Sequence, residues 1–275
     1  NKMDRCSYFF EDKALFGVYP SQETVNLLEQ YGVVHFINLT CEGEKNIVKY
    51  CTTVNYINYP ITDHSFPKNW KSFSKFILTI FSLIKTLKKE KIYIHCRGGH
   101  GRSGIVVACV LCYMFNLDPS VALKLSAAYH RNRKDLRYKW RVRSPCTNSQ
   151  KGFVYRFFRP LIYYRGQKYL DDAYNQIPII KVMFNILKEQ KNTLDFETQY
   201  NDQDKVNDET IVYQILKLKF QQNDNERCIL LGTGLRSLVY HSSDLYWGDD
   251  FSNKGKNKLG QILTNVRNML YIQDI

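Results

Sequence analysis

The sequence predicts an α/β protein, with a mostly parallel sheet flanked by helices, followed after about residue 155 by a stretch of different texture. Three observations carry this. The runs HFINLT (35–40), NYINYP (55–60) and IYI (92–94) have the length and composition of strands. Amphipathic helical patterns alternate with them, the arrangement that covers both faces of a parallel sheet. At 275 residues, with 44% hydrophobic and 14% aromatic content, the chain can bury a sizeable core in one large domain or two small ones.

In order along the chain, residues 69–91 (NWKSFSKFILTIFSLIKTLKKEK) place Trp70, Phe73, Ile77, Ile80, Phe81 and Ile84 at helical spacing. Residues 92–94 then read as the end of a strand. Ser103, Gly104 and the apolar residues after them read as the opening of a helix, with Ser103 as a capping-type residue. A further helix over 120–133 begins near Asp118-Pro119-Ser120. Residues 190–210 (QKNTLDFETQYNDQDKVNDET) are polar and read as a loop or shortened insertion. The chain closes on a helical pattern at Leu259, Ile262, Leu263, Val266, Met269 and Leu270. No internal repeat is visible, and the change of texture places a domain boundary near 160, giving domains 1–160 and 161–275.

No run of roughly 18 apolar residues exists, so no transmembrane segment is expected. The opening NKMDRCSYFFEDKAL lacks the apolar centre of a signal peptide. Eight cysteines (6, 41, 51, 96, 109, 112, 146, 228) form no framework pattern, which suits a reducing, cytoplasmic location. Cys109 and Cys112 lie inside an apolar run with no second ligand pair, so they read as core filling and no metal is expected. No cofactor is expected either.

The net charge of +13 is uneven: residues 1–160 hold 25 Lys and Arg against 11 Asp and Glu, and residues 161–275 hold 14 against 15. The densest stretch is HRNRKDLRYKWRVR (130–143). It reads either as a solvated helix face or as a surface for a polyanion such as a phosphoprotein, phosphoinositide or RNA, reached through Arg131, Arg133 and Arg137.

The chemistry concentrates in Cys96-Arg97-Gly98-Gly99-His100-Gly101-Arg102, between the strand and the helix. A strand end, a glycine-rich loop and a helix N-terminus together make an anion cradle. Cys96 on its floor is placed to attack phosphorus. Arg102 can grip two phosphate oxygens in a bidentate fork, and backbone donors from Arg97 to Arg102 hold the remaining charge. Ser103 can donate to the sulfur, and His95 orients the loop through hydrogen bonds. Asp63, in YPITDHSFPK, follows a strand-like segment and precedes a loop with Pro67. From there it can protonate the leaving oxygen and later activate water.

Residues 92–105 contain His-Cys, five residues, then Arg-Ser-Gly, and resemble the signature of cysteine-based protein tyrosine phosphatases. The resemblance extends over about residues 8–158: LFGVYPSQE, FINLTCEGE, YPITDHSFP and SPCTNSQKGFV look like segments of compact dual-specificity phosphatases. It implies hydrolysis of phosphate monoesters through a phosphocysteine, a phosphorylated protein as substrate, no metal, and Asp63 as general acid. Two other readings stay open: an RNA 5′-triphosphatase of the same fold, and a scaffold or assembly protein that retains an enzyme fold.

Further on, Tyr246-Trp247-Gly248-Asp249 sets an aromatic surface beside carboxylates, and NKGKNKLG adds a donor-rich loop containing Asn257. These groups suit a stacked base and a ribose, or equally an aromatic core corner with a turn. ILKLKFQQNDNERCILLGTG followed by DLYWGDDFSNKGKNKLGQILTNVR resembles the C-terminal part of the NADAR (YbiA-like) family. The resemblance implies a smaller, mainly helical α+β domain over 161–275 and N-glycosidase chemistry on ADP-ribose-type nucleotides. The chain departs from the family in reading YLDDAYNQ, where Asp171 or Asp172 stands in for Glu, and Leu238-Val239-Tyr240 for Leu-Val-Glu. A carboxylate for glycoside cleavage would come from Asp171, Asp172, Asp244 or Asp249. Cleavage, binding without turnover and a purely structural module all stay open.

Overall fold

The computed structural model describes residues 2–136, 143–164, 202–252 and 254–273. The chain forms two compact units, Asn1–Phe158 and Arg159–Ile275.

The first unit is built on a five-stranded sheet in the order β1-β2-β5-β3-β4. Its strands are β1 (Cys6–Phe10), β2 (Ala14–Gly17), β3 (Val33–Asn38), β4 (Asn55–Asn58) and β5 (Lys91–His95). Only β1 runs antiparallel to its neighbour; the β2–β5, β3–β5 and β3–β4 pairs are parallel. The sheet is thus mostly parallel, as the alternation of strands and helices predicts. β5 is central and every one of its residues is buried. In register, His95 pairs with Gly17 of β2 and with Asn38 of β3. Three strands therefore end level with one another, and the segments leaving them share one edge of the sheet.

Helices cover both faces. α1 (Gln22–Gln30) sets Val25 and Leu28 against Leu15, Val33, Phe36 and Tyr93. α3 (Gly101–Phe115) is buried continuously from Arg102 to Cys112 and packs against α2 (Trp70–Thr86), α4 (Pro119–Arg131) and α5 (Asn148–Phe158). A helix apolar on all sides is one enclosed by others, and Cys109 and Cys112 fill that interior. α2 starts where Asn69 Oδ1 accepts from Ser72 N–H at 2.9 Å. Phe73, Ile77, Ile80 and Ile84 form its buried stripe, with Trp70 and Phe81 half-buried at the margins. Asp118 caps α4 and Pro119 opens it, as the sequence predicts.

Two expectations need correction. α3 begins at Gly101, its N-cap is His100 and no side chain caps it, so Ser103 lies inside the first turn rather than at the cap. A side-chain cap would consume the backbone N–H groups that the adjoining loop presents, and here they stay uncapped. In the polar stretch 190–210, residues 202–210 are helical, the first part of α6 (Asp202–Gln222). The helix forms despite its polar start because its later residues Val212, Leu216 and Phe220 are buried. Residues 190–201 lie outside the described residues.

The second unit, taken by itself, pairs β6 (Leu161–Tyr164) in parallel with β7 (Leu238–His241). α6, α7 (Asp224–Gly232) and α8 (Lys258–Gln273) pack together, with α8 also against β7. It is a small, mainly helical α+β arrangement. Leu259, Ile262, Leu263, Val266 and Leu270 form the buried stripe of α8.

Phe73 ties α2 to α5 through edge-to-face contacts with Phe153 at 5.4 Å and Phe157 at 5.2 Å. Phe73→Ala should cost about 3–5 kcal/mol, seen as an earlier urea midpoint by circular dichroism. A cost below about 1 kcal/mol would show that this aromatic cluster is loosely packed.

Candidate active site

The chain leaves β5 at His95, passes Cys96 and turns through a loop into α3. Cys96 is buried, with its Sγ 3.6 Å from Ser103 Oγ. The loop turns on Gly99, whose φ of +70° suits glycine. A Cβ there would fall onto the Gly17 carbonyl and 2.6 Å from Val18 N. Its carbonyls are held from outside the loop: Leu39 N–H donates to His95 O (2.9 Å) and Tyr19 N–H to Arg97 O (3.2 Å). Arg133 Nη1 donates to Gly99 O (2.7 Å) and Ser144 Oγ to His100 O (2.9 Å). In a planar trans peptide, a carbonyl fixed outward aims the next N–H the opposite way. The loop's donors and the open first turn of α3 therefore face inward together.

Arg102 is buried and held bidentately by Glu44: its Nη1 bonds Glu44 Oε1, and its Nη2 lies 3.0 Å from Glu44 Oε2. Nη1 also donates to Ile61 O at 2.9 Å. Glu44 is in turn fixed by the Cys41 N–H at 2.8 Å. Burial opposes charge on Arg102, but its hydrogen bonds to Glu44 and the negative groups around it outweigh burial and raise its pKa. Asp63 bridges two guanidinium groups, with Oδ1 3.1 Å from Arg102 Nη2 and Oδ2 2.9 Å from Arg97 Nη2. Asp63, Cys96, Arg97 and Arg102 line one pocket of about 820 Å³ together with Cys146 and Gln150.

Residues 16–154 match the family model described as "Swiss Army Knife protein, DSP-PTPase phosphatase domain". The "Putative tyrosine phosphatase 197R" of Invertebrate iridescent virus 6 is 32% identical over 280 residues, covering 97% of this chain and 95% of that protein. The chain belongs to the Swiss Army Knife DSP-PTPase family. Its first unit is accordingly a phosphoric monoester hydrolase domain of the tyrosine/dual-specificity type. The "Putative tyrosine phosphatase 067L" of Invertebrate iridescent virus 3 is 47% identical over 159 residues, 57% of this chain and 66% of that relative's length. Residues 154–271 match the NADAR domain. "N-glycosidase YbiA" of Escherichia coli K12 is 32% identical over 112 residues, 40% of this chain and 69% of that protein.

Within the DSP-PTPase domain the structure brings together Cys96, Arg102, Asp63, Ser103 and the loop residues Arg97, Gly98, His100 and Gly101. His95 is buried beside them, but its described hydrogen bond runs to Tyr50 OH at 2.7 Å rather than into the loop. Its ring also meets Tyr19 edge-on at 5.0 Å. Burial first, then the charge of Arg102, pushes its pKa down to about 3. Behind the loop His100 Nδ1 lies 2.6 Å from His130 Nε2. Burial, then Arg133 and Arg5, takes His100 to about 4. Burial, then Arg133, His100 and Arg131, takes His130 to about 3.

Sequence reasoning missed two residues and gave a third the wrong role. Glu44 fixes Arg102. Gln150, buried, donates to Ser65 O at 3.0 Å and accepts from Cys146 N–H at 3.1 Å, linking α5 to the segment that carries Asp63. Arg133 is the third, and it corrects the reading of 130–143 as one exposed basic surface. Arg131 is exposed, Arg133 and His130 are buried, and Arg137 lies outside the described residues.

In the NADAR unit the polar candidates hold a turn. Asp244 Oδ1 accepts from Tyr246 N–H (3.0 Å) and Trp247 N–H (3.2 Å), and Asp249 Oδ1 accepts from Phe251 N–H (2.7 Å). Asn257 Oδ1 accepts from Tyr240 N–H (3.0 Å) and its Nδ2 donates to Leu238 O (2.8 Å). Gly248 is buried, and a Cβ there would come within 2.7 Å of Tyr240 O. Trp247 is half-buried, edge-on to Tyr246 at 5.4 Å. Asp171 and Asp172 lie outside the described residues. Sequence reasoning also passed over Glu209, which bonds Tyr246 OH and lies 3.2 Å from Lys258 Nζ.

His95, His100 and His130, in and around the loop, set a pH dependence. Each is neutral when folded, with a pKa near 3 or 4 against 6.5 in the unfolded chain. Between these values the unfolded chain binds protons that the folded one refuses, so stability falls as pH falls. The urea midpoint of the first unit should hold above about pH 6.5 and drop down to about pH 4, each histidine adding about 1.4 kcal/mol per pH unit. A flat midpoint across that window would mean that these rings protonate freely in the folded protein.

Proposed function

We propose that the first unit hydrolyses phosphate monoesters of phosphorylated proteins through a phosphocysteine intermediate. The observation that carries this reading is the convergence of Cys96, Arg102 and Asp63 on one pocket at the N-terminus of α3. A phosphate dianion enters above Cys96, takes the inward N–H groups from Arg97 to Arg102, and competes with Asp63 for the Arg102 fork. Asp63 is thereby released toward the leaving oxygen: in its protonated form it gives that oxygen its proton, and the carboxylate left behind takes a proton from the attacking water in the second step. The Cys96 sulfur attacks phosphorus, and the S–P bond forms as the ester P–O bond breaks. Ser103 Oγ stabilises the sulfur when water displaces it in the second step. Arg97 and the exposed Arg131 extend attraction to a polyanionic substrate beyond the reacting phosphate.

Cys96→Ser should abolish turnover while still binding vanadate, and retained turnover would overturn the mechanism. Asp63→Ala should slow alkyl phosphates by about 10²–10⁴, and much less where the leaving group needs no proton. Equal losses across leaving groups would assign Asp63 to the fold alone. Comparing a phosphotyrosine peptide with triphosphate-ended RNA separates the protein-directed reading from an RNA 5′-triphosphatase.

For the second unit we infer binding of an ADP-ribose-type nucleotide at the Tyr246–Trp247 turn, supported by the NADAR match and by the similarity to a protein named as an N-glycosidase. ADP-ribose should quench tryptophan fluorescence, Trp247→Ala should remove the quench, and phosphatase turnover should be untouched. Calorimetry without heat at millimolar ADP-ribose would instead make the unit a packing module.

A further inference from the structure

Arg133 lies just past the end of α4, within the most basic stretch of the chain, yet it is buried. Its guanidinium spends all three nitrogens inward. Nη1 donates to Gly99 O at 2.7 Å, Nη2 to Phe16 O at 3.0 Å and Nε to Ser7 Oγ at 3.3 Å. Its flat face lies 4.5 Å from the Phe16 ring centroid. Such a fork fixes two backbone carbonyls at once, one in the phosphate loop and one in β2. A buried guanidinium is costly, and burial lowers its pKa to about 10. A stable fold could meet these carbonyls more simply with backbone or water donors, so the charge at this place calls for a reason.

We infer that Arg133 is a positioning residue for phosphate binding: by holding the Gly99 carbonyl outward, it aims the His100 N–H into the cradle. The geometry leaves the loop little choice of donor. Gly99 has a positive φ and lies so close to the Gly17–Val18 backbone that a Cβ there would clash, so the loop passes this point without a side chain of its own to hold it. Gly99 O is the one loop carbonyl whose described partner is a charged side chain; His95 O and Arg97 O accept from backbone N–H groups, and His100 O from a hydroxyl. The same residue lines the pocket with Cys96, so its charge also adds to the positive field that a dianion there would meet. Lysine in its place keeps the charge but is a point donor, and does not span Gly99 and Phe16 together.

This inference rests on the cysteine-phosphatase reading for its turnover arm and not for its binding arm. The test uses the full chain with Arg133→Lys and Arg133→Gln, an aryl phosphate for turnover, and tungstate calorimetry for the cradle alone. Circular dichroism melts fix an assay temperature at which every variant is folded. A lost hydrogen bond to a charged group corresponds to about 10- to 150-fold. Both variants should lose kcat and tungstate affinity by factors in that range, with KM moving in step with tungstate affinity and Lys impaired less than Gln. A purely structural Arg133 would lower the melting temperature and leave tungstate affinity of the folded protein within twofold, and that result overturns the inference. Wild-type protein that binds tungstate but shows no Cys96-dependent turnover would end the catalytic reading, and the binding arm would still decide the role of Arg133. Wild-type protein that neither binds tungstate nor turns over an ester would overturn both.

Discussion

A loop that offers its N–H groups to an anion must turn its carbonyls into the protein, and buried carbonyls need donors. That constraint organises the first unit. The donors come from segments far apart in sequence: Tyr19 after β2, Leu39 after β3, Arg133 after α4, and Ser144 before α5. For the first two to reach, β2 and β3 must flank β5 and end level with it, as the register at His95 provides. For the third, α4 must end beside the hairpin of β1 and β2, against which it packs. The parallel order of the central strands is thus the arrangement that lets backbone from both sides satisfy one loop. Gly99 is the point where this closes, since its neighbour across the gap is bare backbone.

Charge around the loop follows the same logic. Arg102 and Arg133 are both buried, but their settings differ. Arg102 has two carboxylates, Glu44 and Asp63, whereas the described hydrogen bonds of Arg133 go to neutral oxygens. The histidines between and beside them are kept neutral by burial and by these same cations. The positive charge nearest the cradle is therefore carried by arginines, which do not deprotonate in the working range of a protein. The cationic part of the field around the loop is thus hardly altered by pH, while the buried histidines carry the pH sensitivity.

Much of this was legible from local pattern. The strand before Cys96, the glycine loop, Arg102 six residues on and the amphipathic stripe of α2 are periodic or short-range features. Glu44, Gln150 and the inward role of Arg133 were not, because each acts at long separation: Glu44 reaches 58 residues to Arg102, Gln150 reaches 85 to Ser65, and Arg133 reaches 34, 117 and 126 to Gly99, Phe16 and Ser7. Charge density misled for a related reason. Counting Lys and Arg over 130–143 treats each as solvent-facing, but the turn after α4 sends Arg133 inward and Arg131 outward two residues apart. Ser103 shows a third limit. Its residue type fits a helix cap, yet the helix starts two residues earlier, because a loop that serves an anion has no use for a side chain filling its first turn.

In the second unit, residue types that in general would suit a nucleotide site hold a tight turn. Asp244, Asp249 and Asn257 each commit a side-chain oxygen to a backbone N–H, and Asn257 ties the turn to β7 at two points. These bonds fix where Tyr246 and Trp247 stand, with Glu209 and Lys258 fastening the Tyr246 side. A carboxylate offers about four acceptor sites, so the turn bonds made by Asp244 and Asp249 do not exhaust them. An aromatic surface is useful for stacking only if its backbone is rigid, because an immobilised ring loses little further entropy when a base lies on it. The rigid turn is therefore the first thing this cluster builds: one oxygen of each carboxylate is committed to the backbone that presents Tyr246 and Trp247.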